Sequence, residues 1–185
     1  MPKKAIVLLA EGFEEVEAVT PIDYLRRAGV EVTTAAVSII MTVKGSRGVK
    51  VDADTELATI DSGSANWDAV ILPGGANGAA NIAASQDAVK LIKNMAADGK
   101  LVCAICASPA VVLAPLGLLA GKKFTCYPGL EEKVKDGKWS DERVVVDGNI
   151  ITSRSAGTTG EFAVAIIKKL IDEAAGKKVA DAVLL

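Results

Sequence analysis

Residues 99 to 113, GKLVCAICASPAVVL, run an apolar segment into Cys106 and leave it among small residues. A cysteine where a strand turns sharply into a helix occupies the position of a nucleophile elbow. The positive end of a helix and its free backbone donors can lower a thiol pKa by units. The chain contains no histidine, so the usual base for such a thiol is missing. Carboxylates are the alternative. Glu14, Glu15 and Glu17 follow the first apolar run, and acids at a helix N-terminus account for Glu14 and Glu15 without any chemistry. Glu17 can instead face the carboxyl edge of a sheet. Beside a thiolate it cannot stay charged cheaply, so its pKa rises and it becomes a neutral acid that donates to sulfur and moves protons. The turn LPGG supplies the amides of Gly74 and Gly75, which with the amide of Ala107 suit an oxyanion.

The other two cysteines read differently. In a strand, Cys103 and Cys106 would point to opposite faces, beyond reach of a bridge. Zinc lacks partners, since there is no histidine and only one further cysteine, Cys126. Cys103 and Cys126 therefore read as small core residues. The segment GGANG has neither the Gly-Lys-Ser/Thr of a phosphate-binding loop nor the spacing of a dinucleotide fingerprint. No metal or cofactor is expected.

Positioning these residues requires a sheet. Residues 4–10 form a buried apolar run, the spacing of Val16, Val19, Ile22 and Leu25 predicts a helix ending at Gly29, and residues 30–37 form the next strand. That is a βαβ unit with parallel strands. Residues 38–51 read as a ribbon outside the main sheet. A strand at 67–75, a helix at 85–97, the strand KLVCAIC and a helix from Ala107 follow. A short strand in KKFTCYP, a hairpin at 143–153 around Asp147-Gly148 and a helix at 160–175 complete the pattern. The alternation predicts one α/β domain over 1–185 with a mostly parallel sheet covered on both faces. Ligands of such sheets collect at the strands' carboxyl ends, where Cys106, Glu17 and the glycine turn all fall.

Bulk properties exclude several classes. With 21 basic and 23 acidic side chains and a net charge of -2, the chain has no basic stripe for a nucleic acid backbone. The opening apolar run is too short for a signal peptide, and three cysteines make no disulfide framework, which together predict a reducing cytoplasm. Residues 101–120 carry no charge over a length that spans a bilayer. The prolines and glycine within them argue for a buried strand, turn and helix instead.

The segments EGFEEVEAVTPIDYLRRAG, ILPGG, AICASPA and ITSRSAGT, in this order and spacing, resemble the ThiJ/PfpI superfamily, in the branch of the parkinsonism-linked protein deglycase. The similarity covers nearly the whole chain. It implies a flavodoxin-like three-layer fold and a homodimer. It makes Cys106 the nucleophile and peroxide-sensitive thiol, Glu17 its carboxylic acid partner, and Gly75 and Ala107 the backbone donors. Arg47 and Arg154 match arginines near the pocket, the second at or near the dimer interface; alone they read as solvated charges. The family's usual histidine falls in TCYP, where Cys126 or Tyr127 stands. Ser155-Ala156-Gly157 replaces a Gly-Pro-Gly, and Ser108 replaces a smaller residue and brings a hydroxyl toward the sulfur.

The implied activity is a glyoxalase or deglycase without glutathione or metal, acting on methylglyoxal, glyoxal and their early adducts with amines and thiols to give 2-hydroxy acids. Nucleic acid would enter only as a glycated substrate. The rival reading is an oxidative-stress sensor or redox-regulated chaperone using the same thiol. A cysteine peptidase or amidase is a third, weakened by the absent histidine.

Overall fold

Apolar runs without a polar face must lie in a sheet covered on both sides, and the structure, a computed structural model, builds one. It describes residues 1–61 and 66–185. In chain order the elements are β1 (Lys4–Leu9), α1 (Glu15–Arg27), β2 (Glu31–Ala36), β3 (Thr42–Lys44), β4 (Lys50–Asp52), β5 (Thr55–Glu56) and β6 (Ala69–Leu72). Then come α2 (Ala76–Ala84), α3 (Gln86–Ala97), β7 (Leu101–Ile105), a π-helical turn at Pro109–Leu113, β8 (Lys123–Phe124) and β9 (Lys138–Trp139). The chain continues through β10 (Val144–Asp147), β11 (Ile150–Ser153), α4 (Thr159–Leu170) and α5 (Glu173–Ala182).

The main sheet has the order β10-β11-β7-β6-β1-β2-β5, and only the β10/β11 pair is antiparallel. Strand alternation divides the core into two. Ile6, Leu8, Val70, Leu72, Val102 and Ala104 face α3 and the π-helical turn, packing on Leu91, Ile92, Met95 and Leu113. Ala5, Val7, Leu9, Ile71, Cys103 and Ile105 face α1 and α4, packing on Ala18, Leu25, Phe162 and Ile166. This is the predicted α/β flavodoxin-like three-layer arrangement.

The ribbon expected at 38–51 is the antiparallel pair β3/β4, and the hairpin at 143–153 is β10/β11. Other expectations change. Residues 76–84, between the expected strand at 67–75 and the expected helix at 85–97, form α2; alanines carry that helix despite Gly78. The helix expected from Ala107 is only the π-helical turn, closed by the Ala114 N–H on the Pro109 carbonyl at 3.0 Å. The single helix expected at 160–175 is two, because Asp172 caps a new start by accepting the Ala175 N–H at 2.8 Å. The strand in KKFTCYP shrinks to β8, paired with β9 outside the main sheet. Among the described residues no helix is long and apolar enough to cross a membrane.

Candidate active site

Cys106 follows the last residue of β7. Odd-numbered residues of β7 face α1 and even-numbered ones face α3, so a continued strand would send Cys106 away from α1. Its φ of 63° prevents this. The left-handed conformation turns the side chain back toward the α1 layer, where it packs against that half of the core. A non-glycine residue held this way costs on the order of 1–3 kcal/mol and persists only where the surroundings over-determine it. Here they do. The Cys106 N–H donates to the Ser153 carbonyl at 2.9 Å, and the Tyr127 N–H donates to the Cys106 carbonyl at 2.8 Å.

Two glycines make room for the elbow. A Cβ on Gly74 would lie 2.6 Å from both the Cys106 Cβ and Glu17 Oε2. Gly75 has φ of 86°, and a Cβ there would lie 2.3 Å from the Gly12 carbonyl oxygen. Loop and turn therefore interlock backbone against backbone, which holds the start of α1 over the end of β7.

The acids of that loop separate into three tasks. Glu14 caps α1, its Oε2 accepting the Glu17 N–H at 2.7 Å. Glu15 reaches to the β3/β4 turn, where its carboxylate accepts the Arg47 N–H at 2.5 Å, the Ser46 hydroxyl at 3.1 Å and the Val49 N–H at 3.4 Å. Burial pushes Glu15 up, but these donors outweigh it and hold the carboxyl below its usual range. Glu17 occupies the tip of the buried stripe 17, 18, 21, 22 and 25 of α1 and is only 1% exposed.

Glu17 Oε2 accepts the Gly74 N–H at 2.9 Å. The Ala156 amide also bears on the carboxyl, and the carboxyl and the Cys106 thiol interact side chain to side chain. Oε1 is buried without a well-aligned partner. Burial pushes this carboxyl up to about 7; the thiol contact pulls it down, the Glu14 charge pushes it up, and the two amides pull it down. Burial likewise raises the Cys106 thiol, and the Glu17 charge and hydrogen bond raise it further, to about 12, against the Gly75 and Ala107 amides at the sulfur. A thiolate lowered by a helix N-terminus alone is thus not what the structure provides, since the short π-helical turn carries little dipole. The pair holds one proton between two groups that cannot both be charged cheaply. Thiolate forms when the proton sits on Glu17, because the acid then donates to sulfur instead of repelling it.

The remaining expected residues fall into place unevenly. The Gly74 N–H is committed to Glu17, so Gly74 positions the acid and does not serve as an oxyanion donor. Gly75 and Ala107 do aim at the reacting atom. Ser108 is buried and donates to the Pro73 carbonyl at 2.5 Å, tying the glycine turn to the elbow instead of serving the sulfur. Arg47 meets the site's surroundings through its backbone. Arg154 Nη1 donates to the Asp141 carbonyl at 2.9 Å, and its charge acts on Cys126. Tyr127 is half exposed, and its backbone pins the elbow. Cys126 and Cys103 are fully buried. Burial alone raises the Cys103 thiol, as befits a core residue. Ala156 stands out in the sequence only within the Ser155-Ala156-Gly157 departure; the bearing of its amide on Glu17 carries no side-chain signal.

Two outcomes follow from the shared proton. Alkylation of Cys106 against pH should show a first step at or below about pH 7 and then a plateau, and Glu17→Gln should abolish the plateau. A single wild-type step at or above about 8.5, the free-thiol value, would refute the pairing. Stability gives the second. The Glu17 carboxyl is raised from 4.5 to about 7 on folding, so between those values the folded chain keeps a proton the unfolded chain has lost. Stability therefore falls as pH rises through that window. Glu17→Gln should stabilise the protein by up to about 3 kcal/mol above pH 7. The gain should shrink toward pH 5 in urea unfolding, and a gain equal at both pH values would contradict a raised carboxyl.

Comparison with known proteins places this geometry among relatives. Over 180 residues the chain is 43% identical to protein DJ-1 homolog B of Arabidopsis thaliana, covering 97% of this chain and 41% of that one. The chain thus spans about two fifths of that relative's length. It is 35% identical over 171 residues to glutathione-independent glyoxalase DJR-1.2 of Caenorhabditis elegans, covering 91% of this chain and 89% of the other. The crystal structure of Drosophila melanogaster DJ-1beta superposes with a TM-score of 0.94 at 40% identity, covering 100% and 99% of the two chains. The model of the DJ-1/PfpI family matches residues 3–169, a span that takes in β1 with its acidic loop, the glycine turn, the cysteine elbow and all but the last residue of α4. With the family's pattern running through every element that builds the site, the chain belongs to the DJ-1/PfpI family.

Proposed function

We propose that the protein is a glyoxalase that needs neither glutathione nor metal, converting methylglyoxal and glyoxal to 2-hydroxy acids, with early dicarbonyl adducts of amines and thiols as further substrates. The observation that carries the reading is the buried Glu17 carboxyl, raised to about 7, in contact with a thiol on a strained elbow. The glyoxalase name of the nematode relative supports the same chemistry.

Cys106 Sγ adds to the aldehyde carbon of methylglyoxal, and the proton on Glu17 passes to the new oxygen to give a hemithioacetal. The amides of Gly75 and Ala107 favour negative charge at this position as it develops. Glu17, now a carboxylate in an apolar stripe, is a base near neutral pH. It removes the proton from the former aldehyde carbon to form an enediol and returns it to the adjacent carbon, leaving a thioester. Water hydrolyses the thioester to lactate and frees the thiol. The net change is addition of one water, with no oxidant or reductant. With a hemithioacetal or hemiaminal adduct, Cys106 Sγ instead replaces the amine or thiol on the same carbon: the C–N or C–S bond breaks, the leaving group takes the Glu17 proton, and the resulting Cys106 hemithioacetal follows the same course, which is the deglycase form of the reaction.

The same reading makes the chain a cytoplasmic homodimer. Val16 and Val19 lie half exposed on α1, and Val49, whose N–H donates to the Glu15 carboxylate, is half exposed as well, apolar surface that supports pairing; a monomeric mass in sedimentation equilibrium would remove this part. For the enzyme, many lactate equivalents should form per protein without added thiol. Cys106→Ala should abolish turnover, and Glu17→Gln should lower kcat by about 10²-fold or more. One equivalent of methylglyoxal consumed, with no lactate, would favour the sensor or chaperone reading.

A further inference from the structure

Thr158 is the residue before α4, a place where a threonine side chain usually caps the helix, yet its hydroxyl makes no bond to the first turn of α4. It turns back instead. Thr158 is buried, and its Oγ1 stands 2.6 Å from Ser153 Oγ and accepts the Ser155 N–H at 3.1 Å. The hydroxyl also reaches the Ser155 carbonyl oxygen at 2.8 Å, and the Thr158 N–H donates to that same oxygen at 2.8 Å. That oxygen belongs to the peptide unit joining Ser155 to Ala156. A trans peptide is planar, with its N–H pointing away from its C=O, so a grip on the Ser155 oxygen sets the direction of the Ala156 N–H. As the first donor of the 3-10 turn Ala156–Thr158, this N–H has no partner within the turn. It bears on the Glu17 carboxyl. Glu17 has room for it, since Oε2 takes the Gly74 N–H while Oε1 is buried without a well-aligned partner. Ser153 completes the link, because its carbonyl accepts the Cys106 N–H at 2.9 Å. One buried hydroxyl thus joins the residue that pins the elbow to the peptide that faces the acid.

We propose that Thr158 is a positioning residue for the Cys106–Glu17 pair: its hydroxyl holds the 155–156 peptide so that the Ala156 N–H faces the Glu17 carboxyl and biases which member of the pair carries the shared proton. This role depends on the shared proton and not on the dicarbonyl reaction. A donor aimed at the carboxyl favours its charged form; with the N–H turned away, Glu17 keeps the proton more tightly and the thiol becomes the member that ionises. The other titratable groups near Glu17 are already engaged. Glu14 acts on it by charge but is fixed as the cap of α1, Glu15 is held by the β3/β4 turn, and Glu161 of α4 pairs with Arg143.

The test is the rate of alkylation by iodoacetamide against pH, read at the Cys106 peptide by mass spectrometry, in wild type, Thr158→Val, Thr158→Ser and Ala156→Pro. Valine keeps the shape of threonine without the hydroxyl. Proline removes the N–H itself, and the first position of a turn after an extended Ser155 tolerates it. Thr158→Val and Ala156→Pro should each weaken the acidity behind the first step and raise the plateau rate by the same factor, about 3- to 10-fold, because one backbone donor changes a carboxyl's acidity by up to roughly tenfold. The acid limb below the midpoint should not move, since the rate there reports only ionisation of the thiol beside a protonated acid. Thr158→Ser should restore the wild-type profile. An unchanged midpoint and plateau in Ala156→Pro would overturn the proposal whether or not Thr158→Val folds, as would a Thr158→Ser profile that matches Thr158→Val. A single wild-type step at or above about 8.5 would instead remove the shared proton, and this role with it. The readout is thiol reactivity, not lactate, so loss of the dicarbonyl activity would leave the result standing.

Discussion

The left-handed backbone at Cys106 is the constraint on which the site depends. Strand alternation alone would deliver its side chain to the α3 face, away from Glu17. One positive φ of 63° reverses that, and the structure holds it from three directions. Ser153 and Tyr127 anchor its amide and carbonyl, Ser108 binds the next turn to the Pro73 carbonyl, and Gly74 leaves no Cβ where the sulfur's own must sit. The local cost is set against a sheet of buried strands. The conformation is retained because relaxing any one anchor would break hydrogen bonds elsewhere.

The second consequence is electrostatic. A carboxyl placed in the apolar stripe of a helix is destabilised as an anion, and Glu17 responds by holding its proton to about pH 7. Two groups that each resist charge then share one proton, which makes either of them the acid or the base as the other requires. Histidine supplies this flexibility in many thiol enzymes because its pKa lies near neutrality. Burial moves a glutamate to the same place. The neighbouring acids show that the effect is positional: Glu15, two residues earlier in the same helix, is held low by the hydrogen-bond donors of the β3/β4 turn.

Much of this was readable before the fold. The apolar runs, their spacing and the glycine turn predict the parallel sheet, but the apolar face of α1 read as Val16, Val19, Ile22 and Leu25 is shifted: Val16 and Val19 are half exposed, and the buried stripe runs through Glu17, Ala18, Pro21, Ile22 and Leu25, because an acid facing the site takes a core position that hydrophobicity alone assigns to valine. What escaped was irregular. The π-helical turn after the elbow, the early start of α2 and the break between α4 and α5 depend on capping and on one-residue shifts in hydrogen bonding that periodicity does not register. The bearing of the Ala156 amide on Glu17 and the Ser108–Pro73 link escaped for a related reason, since backbone groups carry no residue identity and a serine among small residues points nowhere until its neighbours are placed.

The sequence by itself determined the chemistry available: a thiol, an acid and no histidine, with apolar strands that had to be covered on both faces. Side-chain type and periodicity are local properties, and they are written in the chain. The tertiary structure decided which proton acceptor the thiol meets and that Gly74 serves the acid and not an oxyanion. Those are contacts between segments far apart in sequence, set by register and by one strained torsion, and they exist only once the sheet has closed around them.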